Sequence, residues 1–199
     1  MRSSRGFTML ELMITILVAA ILVMVAAPSF RTALQKHRVQ AASDDLQAAI
    51  QYARTEAVLR ATYVSLCATA DATTCAASAT YETGWLVYAH PVATTKASDT
   101  YASAASAGMQ VLRVGAAVPL ASVRGLDNAV VTFGQQGQLE TVATRTNASQ
   151  PMAFVVCAMA SAKNTIGSNT TAVPGARLGI SRFGGIATTR LATTDTCAP

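Results

Sequence analysis

Glu11 is a carboxylate at the edge of a stretch suited to hydrocarbon: the nineteen residues from Leu12 to Phe30 carry no charge. An ionisable side chain inside a membrane-spanning helix costs roughly 2.5–3.5 kcal/mol on insertion scales, so its presence implies a partner and a task. The residues ahead of it supply one. Arg2-Ser3-Ser4-Arg5-Gly6 is a short basic leader, and cleavage after Gly6 would place a new α-amino group on Phe7. That amine is cationic at neutral pH. Within a bilayer, where both groups are poorly solvated, Glu11 of one subunit can neutralise the Phe7 amine of a neighbour, and the pairing would set the axial register of subunits. An ordinary secretory signal, cut after Val25-Ala26-Ala27, would have a shorter apolar run and would be hindered by a carboxylate near its start.

The four cysteines are Cys67, Cys75, Cys157 and Cys197, with no Cys-x-x-Cys among them, and the two histidines are His37 and His90. This spacing suits disulfides outside the cytoplasm better than a structural zinc site, and neither a metal nor a cofactor is expected. Cysteines in this number can pair in more than one way. Cys67 with Cys75 brackets a short Ala/Thr loop, and Cys157 with Cys197 would tie the C-terminus to a hydrophobic strand, so this is the expected pairing.

Catalytic chemistry has little footing. Gly179-Ile180-Ser181-Arg182-Phe183 approaches a nucleophile elbow but lacks its last glycine and has no convincing acid and base partners. There is no Walker loop, no dinucleotide fingerprint and no His-Glu-x-x-His. Asp44 and Asp45, adjacent on a helix, face different directions. No catalytic residue is assigned and the chain is not expected to be an enzyme. Trp85 and Tyr88, on one short apolar run, read as packing residues rather than ligand-binding aromatics. His37, between Lys36 and Arg38, suits a solvated helix face equally well as contact with lipid phosphates.

The elements that would position these groups follow from periodicity. One long helix is expected from about Phe7 to Arg60; its nineteen uncharged residues span roughly 28 Å at about 1.5 Å per residue, close to a bilayer core. Pro28 removes one backbone hydrogen bond and should kink or loosen the helix near the membrane exit. Beyond Arg31 the pattern turns amphipathic, with Leu34, Val39, Ala42, Leu46, Ile50, Ala53 and Ala57 on one face. Strands are expected at Tyr63 to Ala68, Trp85 to Ala89, Met109 to Val114, Val130 to Phe133, Met152 to Met159 and Leu178 to Phe183. Phe133 to Leu139 is the clearest hairpin. Ala93 to Ala107 and Ser161 to Val173 read as surface loops with little to bury. A long helix packed on an antiparallel sheet is an α+β architecture. The expected divisions are a leader at 1–6, a transmembrane and assembly helix at 7–30, and a globular part at 31–199. The last comprises an amphipathic helix at 31–60 and a β-rich region at 61–199.

Gly6-Phe7-Thr8-Met9-Leu10-Glu11-Leu12 resembles the type IV prepilin motif. That resemblance implies cleavage after Gly6 by an inner-membrane prepilin peptidase, N-methylation of Phe7, and a role for Glu11 in assembly into a helical filament. It also implies the type IV pilin fold. Val39 to Ala42, Gln51 to Val58, Val64 to Cys67, Gly84-Trp85, the Phe133 to Leu139 hairpin and Arg177 to Ser181 resemble one branch of that superfamily, the minor pilins FimT and FimU and the secretion pseudopilin GspH. The implied role is a minor pilin near the filament tip that primes assembly. The implied partners are the prepilin peptidase, other minor pilins, the major pilin and the inner membrane, with the globular part periplasmic and then on the cell surface. A GspH-type pseudopilin of a type II secretion system is the alternative.

DNA binding, known in some FimT-like pilins through a Gly-Arg-x-Arg motif, is a further alternative. Here the matching region reads Arg182-Phe183-Gly184-Gly185-Ile186-Ala187-Thr188-Thr189-Arg190, without closely spaced arginines. Arg177, Arg182 and Arg190 would form a loose phosphate-contacting patch only if their side chains converge. The formal net charge of +5 falls to about +3 on the side chains once Arg2 and Arg5 leave with the leader, a mild bias that argues weakly for a polyanion partner.

Overall fold

The computed structural model describes residues 7–92, 97–102, 108–126, 130–140, 151–161 and 166–198; Gly6 and the rest of the leader lie outside them. A single helix, α1 (Met9–Arg60), runs for 52 residues, about 78 Å at the standard rise. Thr8, extended at φ −79° and ψ 150°, caps its start by accepting the Glu11 N–H at 3.3 Å. Ala61 ends it in the left-handed region at φ 51°, its N–H reaching the carbonyls of Ala57 and Val58. Helical assignment is continuous through Pro28. The proline leaves the Met24 carbonyl without its helical donor, and the turn beyond it is supported by the Thr32 hydroxyl donating to the Pro28 carbonyl at 3.1 Å.

The two halves of α1 have opposite surroundings. From Met9 to Arg31 every residue is exposed. From Val39 onward a stripe of Val39, Ala42, Ser43, Leu46, Ala49, Ile50, Ala53 and Ala57 is buried at the three-and-four spacing of one helical face. Leu34, placed on that face from the sequence, lies below the sheets and is 38% exposed.

Among the described residues, eight strands form two antiparallel sheets rather than one. β1 (Val64–Ala68), β2 (Trp85–Ala89), β3 (Gln110–Gly115) and β5 (Val131–Phe133) make the first, in the order β3-β2-β1-β5. β4 (Ala121–Gly125), β6 (Met152–Ala158), β7 (Ala176–Ile180) and β8 (Ile186–Arg190) make the second, in the order β4-β6-β7-β8. Leu46, Ile50, Val64, Leu66, Val87, Phe133, Phe154, Val156, Leu178 and Ile180 share one core between α1 and the two sheets. The alternation of the strands then sends Ser65, Cys67, Leu86 and Tyr88 to the outer face of the first sheet, and Val155 and Cys157 to that of the second. Both outer faces are covered, so β1, β2 and β6 are buried along their whole length.

β4 and β8 were not expected from the sequence, and β7 lies two residues earlier than its expected start. Ile186-Ala187-Thr188-Thr189-Arg190 has no apolar run; it is a strand because it pairs with β7 in register from Ile180↔Ile186 to Ala176↔Arg190. The hairpin closes over Ser181–Gly185, where the Ser181 N–H donates to the Gly185 carbonyl at 2.8 Å and Gly184 sits at φ +75°. A side chain at Gly184 would also collide with the Gly137 carbonyl of the Phe133–Leu139 hairpin. Arg54 of α1 holds both turns, donating to the carbonyls of Gly137 at 2.9 Å and Phe183 at 3.1 Å.

The two segments read as loops with little to bury are partly structural. Tyr101 packs on Tyr88 with ring centroids 5.7 Å apart, and Val173 is only 6% exposed. Residues 93–96, 103–107 and 162–165 of these segments lie outside the described residues.

Candidate functional site

The N-terminal turn of α1 brings Phe7, Thr8 and Glu11 together. With Thr8 as the cap, Glu11 occupies the third helical position, and Thr8-Met9-Leu10-Glu11 has the spacing of a capping box. Its carboxylate lies at the positive end of the helix macrodipole, which favours a negative charge there. The Thr-x-x-Glu spacing in the sequence is itself the signal of this local role, which is separate from any intersubunit partner. Phe7 is 76% exposed, and among the described residues none covers Glu11.

Behind that turn, Met9–Phe30 presents large apolar side chains on all sides, among them Leu10 at 69%, Leu17 at 63% and Met24 at 79% exposure. Among the described residues, α1 is the one helix long and apolar enough to cross a membrane. An exposed apolar surface of this extent must be covered by lipid or by other helices.

Both disulfides hold segments over the sheets' outer faces. Cys67 is bonded to Cys75, closing a loop of eight residues, and Cys157 to Cys197, closing one of forty. In the first loop Asp71 accepts from the Thr73 and Thr74 N–H groups at 2.9 and 2.8 Å and from the Thr74 hydroxyl at 2.8 Å. Those donors, the Thr73 backbone first, hold its carboxyl well below the usual range. In the second, Cys197 and Leu191 pack with Cys157 and Val155. Asn169 donates to the carbonyls of Ala192 at 2.6 Å and Asp195 at 3.0 Å, fastening the tail.

The three C-terminal arginines do not converge. Arg177 lies opposite Thr189, whereas Arg190 lies opposite Ala176, so the two side chains leave opposite faces of the β7–β8 hairpin. Arg190 faces α1, beside Lys36 at a cleft of about 320 Å³. Arg182 is in the turn at the far end of the hairpin, its carbonyl accepting from the Leu139 N–H at 2.9 Å. Three phosphate contacts on one surface are not available from this arrangement.

A polar cluster that sequence spacing did not reveal is buried on the outer face of the first sheet. The Ser65 hydroxyl is 2.7 Å from His90 Nε2 and 2.7 Å from the Thr132 hydroxyl, which donates to the Ala97 carbonyl at 2.8 Å. Tyr88 donates to the Asp99 carbonyl at 2.8 Å, and burial pushes its phenol pKa up. Burial lowers the pKa of His90, with Asp99 opposing. Serine, histidine and aspartate are thus neighbours, yet the arrangement is not a relay. Among the described residues His90 Nδ1 has no hydrogen-bond partner, so no carboxylate there orients the ring, and Ser65 is fully buried, out of reach of any substrate. Ser181, the other candidate nucleophile, instead accepts the Gly185 N–H at 3.0 Å. Among the described residues no group of three or more His, Cys, Asp or Glu is placed to hold a metal.

Trp85 and Tyr88 are both core residues, on opposite faces of β2. His37 is exposed on α1.

Comparison with known proteins gave two family matches. Residues 42–173 match the family described as type II transport protein GspH, and residues 1–27 match the prokaryotic N-terminal methylation motif. A search of curated proteins returned no match. Among solved structures, the chain is similar to the type IV minor pilin FimU of Pseudomonas aeruginosa strain PAO1 in two crystal forms. One is 19% identical, covering 81% of this chain and 93% of that one, with a TM-score of 0.49. The other is 20% identical, covering 79% and 95%, with a TM-score of 0.47.

Proposed function

The chain belongs to the GspH family, and from that premise we propose that it is a minor subunit of a type IV pilus: cut after Gly6, N-methylated on Phe7, and built into the filament through α1. The observation that carries this reading is the division of α1 between a half that the chain leaves wholly bare and a half that it buries. The bare half is suited first to lipid and then to the packed helices of a filament. The methylation motif over residues 1–27 supports processing by a prepilin peptidase. Glu11, the one charge among the residues from Phe7 to Phe30, is the group available to meet a neighbour's Phe7 amine. The domain from Val39 onward, rigidified by two disulfides, supplies contacts to other minor pilins and the major pilin near the tip, and thereby primes assembly. The role is structural rather than catalytic.

The test is to shear filaments from the surface of the native host and search them by mass spectrometry for a peptide beginning at N-methylated Phe7. Its presence in sheared filaments is the expected result. A mature chain that keeps Met1 or begins at Ser29 would overturn the assignment. The family's description as a type II transport protein favours one second reading, a subunit of a secretion pseudopilus. Processed protein confined to the inner-membrane fraction would select it.

A further inference from the structure

At the membrane-proximal end of the globular part, α1 and the end of the β2–β3 pair enclose a cleft of about 350 Å³ lined by Arg38, Asp45, Trp85, Arg113, Val114 and Gly115 among others. The indole of Trp85 lies flat on Gly115, where any side chain would overlap the ring, so the strand end is shaped around it. Trp85 is 3% exposed and its Nε1–H, at the edge of this cleft, has no acceptor among the described residues. Buried donors in folded proteins are paired as a rule, so such a group is a sign of a missing partner. The two guanidiniums beside it are also uncommitted. Among the described residues the ion pairs are Arg60–Glu56 and Arg124–Glu82, so Arg38 and Arg113 have no carboxylate within 4.0 Å. Arg113 instead rests over the ring of Tyr52 at 5.9 Å.

From this arrangement we propose that the cleft binds a carboxylate carried on a side chain of a neighbouring subunit. Two arginine forks and one indole N–H are all donors, and a carboxylate is the planar acceptor that such forks match. Asp45 sets the charge of the occupant. With it, the cleft carries one net positive charge, which suits a monoanionic carboxylate and disfavours the dianionic phosphate of a polyanion or free phosphate. The remaining walls, alanines and Val118 with Pro119, suit the methylene stem of Asp or Glu. The size is at the low end for a ligand pocket and fits one side chain rather than a metabolite with several rings. That the donor is a filament subunit rests on the function proposed above; the chemistry of the site does not.

Trp85 is the sole tryptophan of the chain, so its emission reports on this cleft alone. The full chain in detergent micelles is titrated with N-acetyl-glutamic acid amide, with the isosteric N-acetyl-glutamine amide as control. The expected result is a saturable shift in emission with the acid, with dissociation in about the millimolar range for an isolated side chain, and none with the amide. Arg38→Gln with Arg113→Gln should weaken binding at least about tenfold, and Asp45→Asn should tighten it by removing the opposing charge. The gain with Asp45→Asn keeps the test decisive if the arginine variants fold poorly. Equal response to acid and amide, a stronger response to inorganic phosphate, or weaker binding in Asp45→Asn would each overturn the carboxylate assignment. In cells, Ala41→p-benzoylphenylalanine, on the exposed α1 wall of the cleft, should cross-link to a peptide containing Asp or Glu from another filament subunit. Cross-links to lipid alone would overturn the subunit as donor. A carboxylate response in micelles together with absence from filaments would refute the pilus reading and leave the site standing.

Discussion

His90 has one ring nitrogen satisfied and one orphaned. Nε2 meets Ser65, while Nδ1 is buried without a partner among the described residues. Protonation would add a charge where burial already lowers the pKa from 6.5. The unfolded chain therefore takes up a proton as pH falls below about 6.5 while the folded chain still resists it. Stability is complete above that value and declines below it, levelling once pH passes the depressed folded pKa. Urea midpoints followed by Trp85 emission should fall between pH 7 and pH 5, and His90→Gln should flatten most of that slope; an unchanged slope would place the dependence elsewhere. At the other end of the chain, Thr8 and Glu11 share one helix cap and so invite confusion between a local and an intersubunit role. Thr8→Ala removes the cap oxygen and should cost about 1 kcal/mol locally, with little effect on incorporation into filaments. On the proposed pairing, Glu11→Ala would leave a neighbour's amine uncompensated in the bilayer, where breaking a buried pair costs about 3–5 kcal/mol. Processing after Gly6 should continue, but filament content measured by immunoblot of sheared material should fall at least about tenfold. Equal losses from both variants would mean that the helix end itself, and not the amine pairing, controls assembly.

At the scale of elements, the two disulfides do similar work on the two sheets but close loops of unequal length. In the chain-entropy account, the Cys157–Cys197 loop of forty residues restricts the unfolded chain by about 4 kcal/mol, and the Cys67–Cys75 loop of eight by about 2.5 kcal/mol. Cys157→Ser with Cys197→Ser should accordingly lower stability to denaturant more than Cys67→Ser with Cys75→Ser. The reverse order would show that packing of the first loop over Tyr88, and not chain restriction, dominates. What could be read from sequence divides along the same line between local and distant causes. The buried face of α1 was legible because Val39, Ala42, Leu46, Ile50, Ala53 and Ala57 announce it through spacing within one element. Met152 to Ala158 was legible because a strand buried on both faces is apolar throughout. β4 and β8 were not, because Ala121-Ser122-Val123-Arg124-Gly125 and Ile186 to Arg190 owe their conformation to partners in β6 and β7. The Ser65–His90–Thr132 cluster joins residues 25 and 67 positions apart, and the cleft at Trp85 joins α1 to the ends of two strands. Neither leaves a periodic trace. Arg177 and Arg190 were equally unreadable, since their divergence depends on a register that only the pairing fixes.

For the whole molecule, the question is whether the bare apolar half of α1 contributes anything to the fold of the rest. No residue from Met9 to Arg31 is buried, and the core begins at Val39. A chain beginning at Arg31 would lose Pro28 and all the bare apolar surface while keeping every buried residue of α1. Its new helix end would fray over about one turn, the span of the unsatisfied N–H groups, and Val39 stands two turns further in. Such a chain should be monomeric without detergent by sedimentation. It should unfold at the same urea midpoint as the full chain in micelles, because the deleted residues contact nothing in the core. The full chain without detergent should aggregate through the surface from Leu10 to Phe30. If the shortened chain were instead unfolded or much less stable, α1 would have to be a single cooperative unit whose outer half supports the inner one. Filament assembly would then bear directly on the stability of the domain. If the midpoints agree, the two halves are energetically separate. In the proposed pilus role, withdrawal of the helix from lipid into a filament would then leave the cleft at Trp85 and both sheets unaltered, as a subunit needs if it is to present the same contacts before and after assembly.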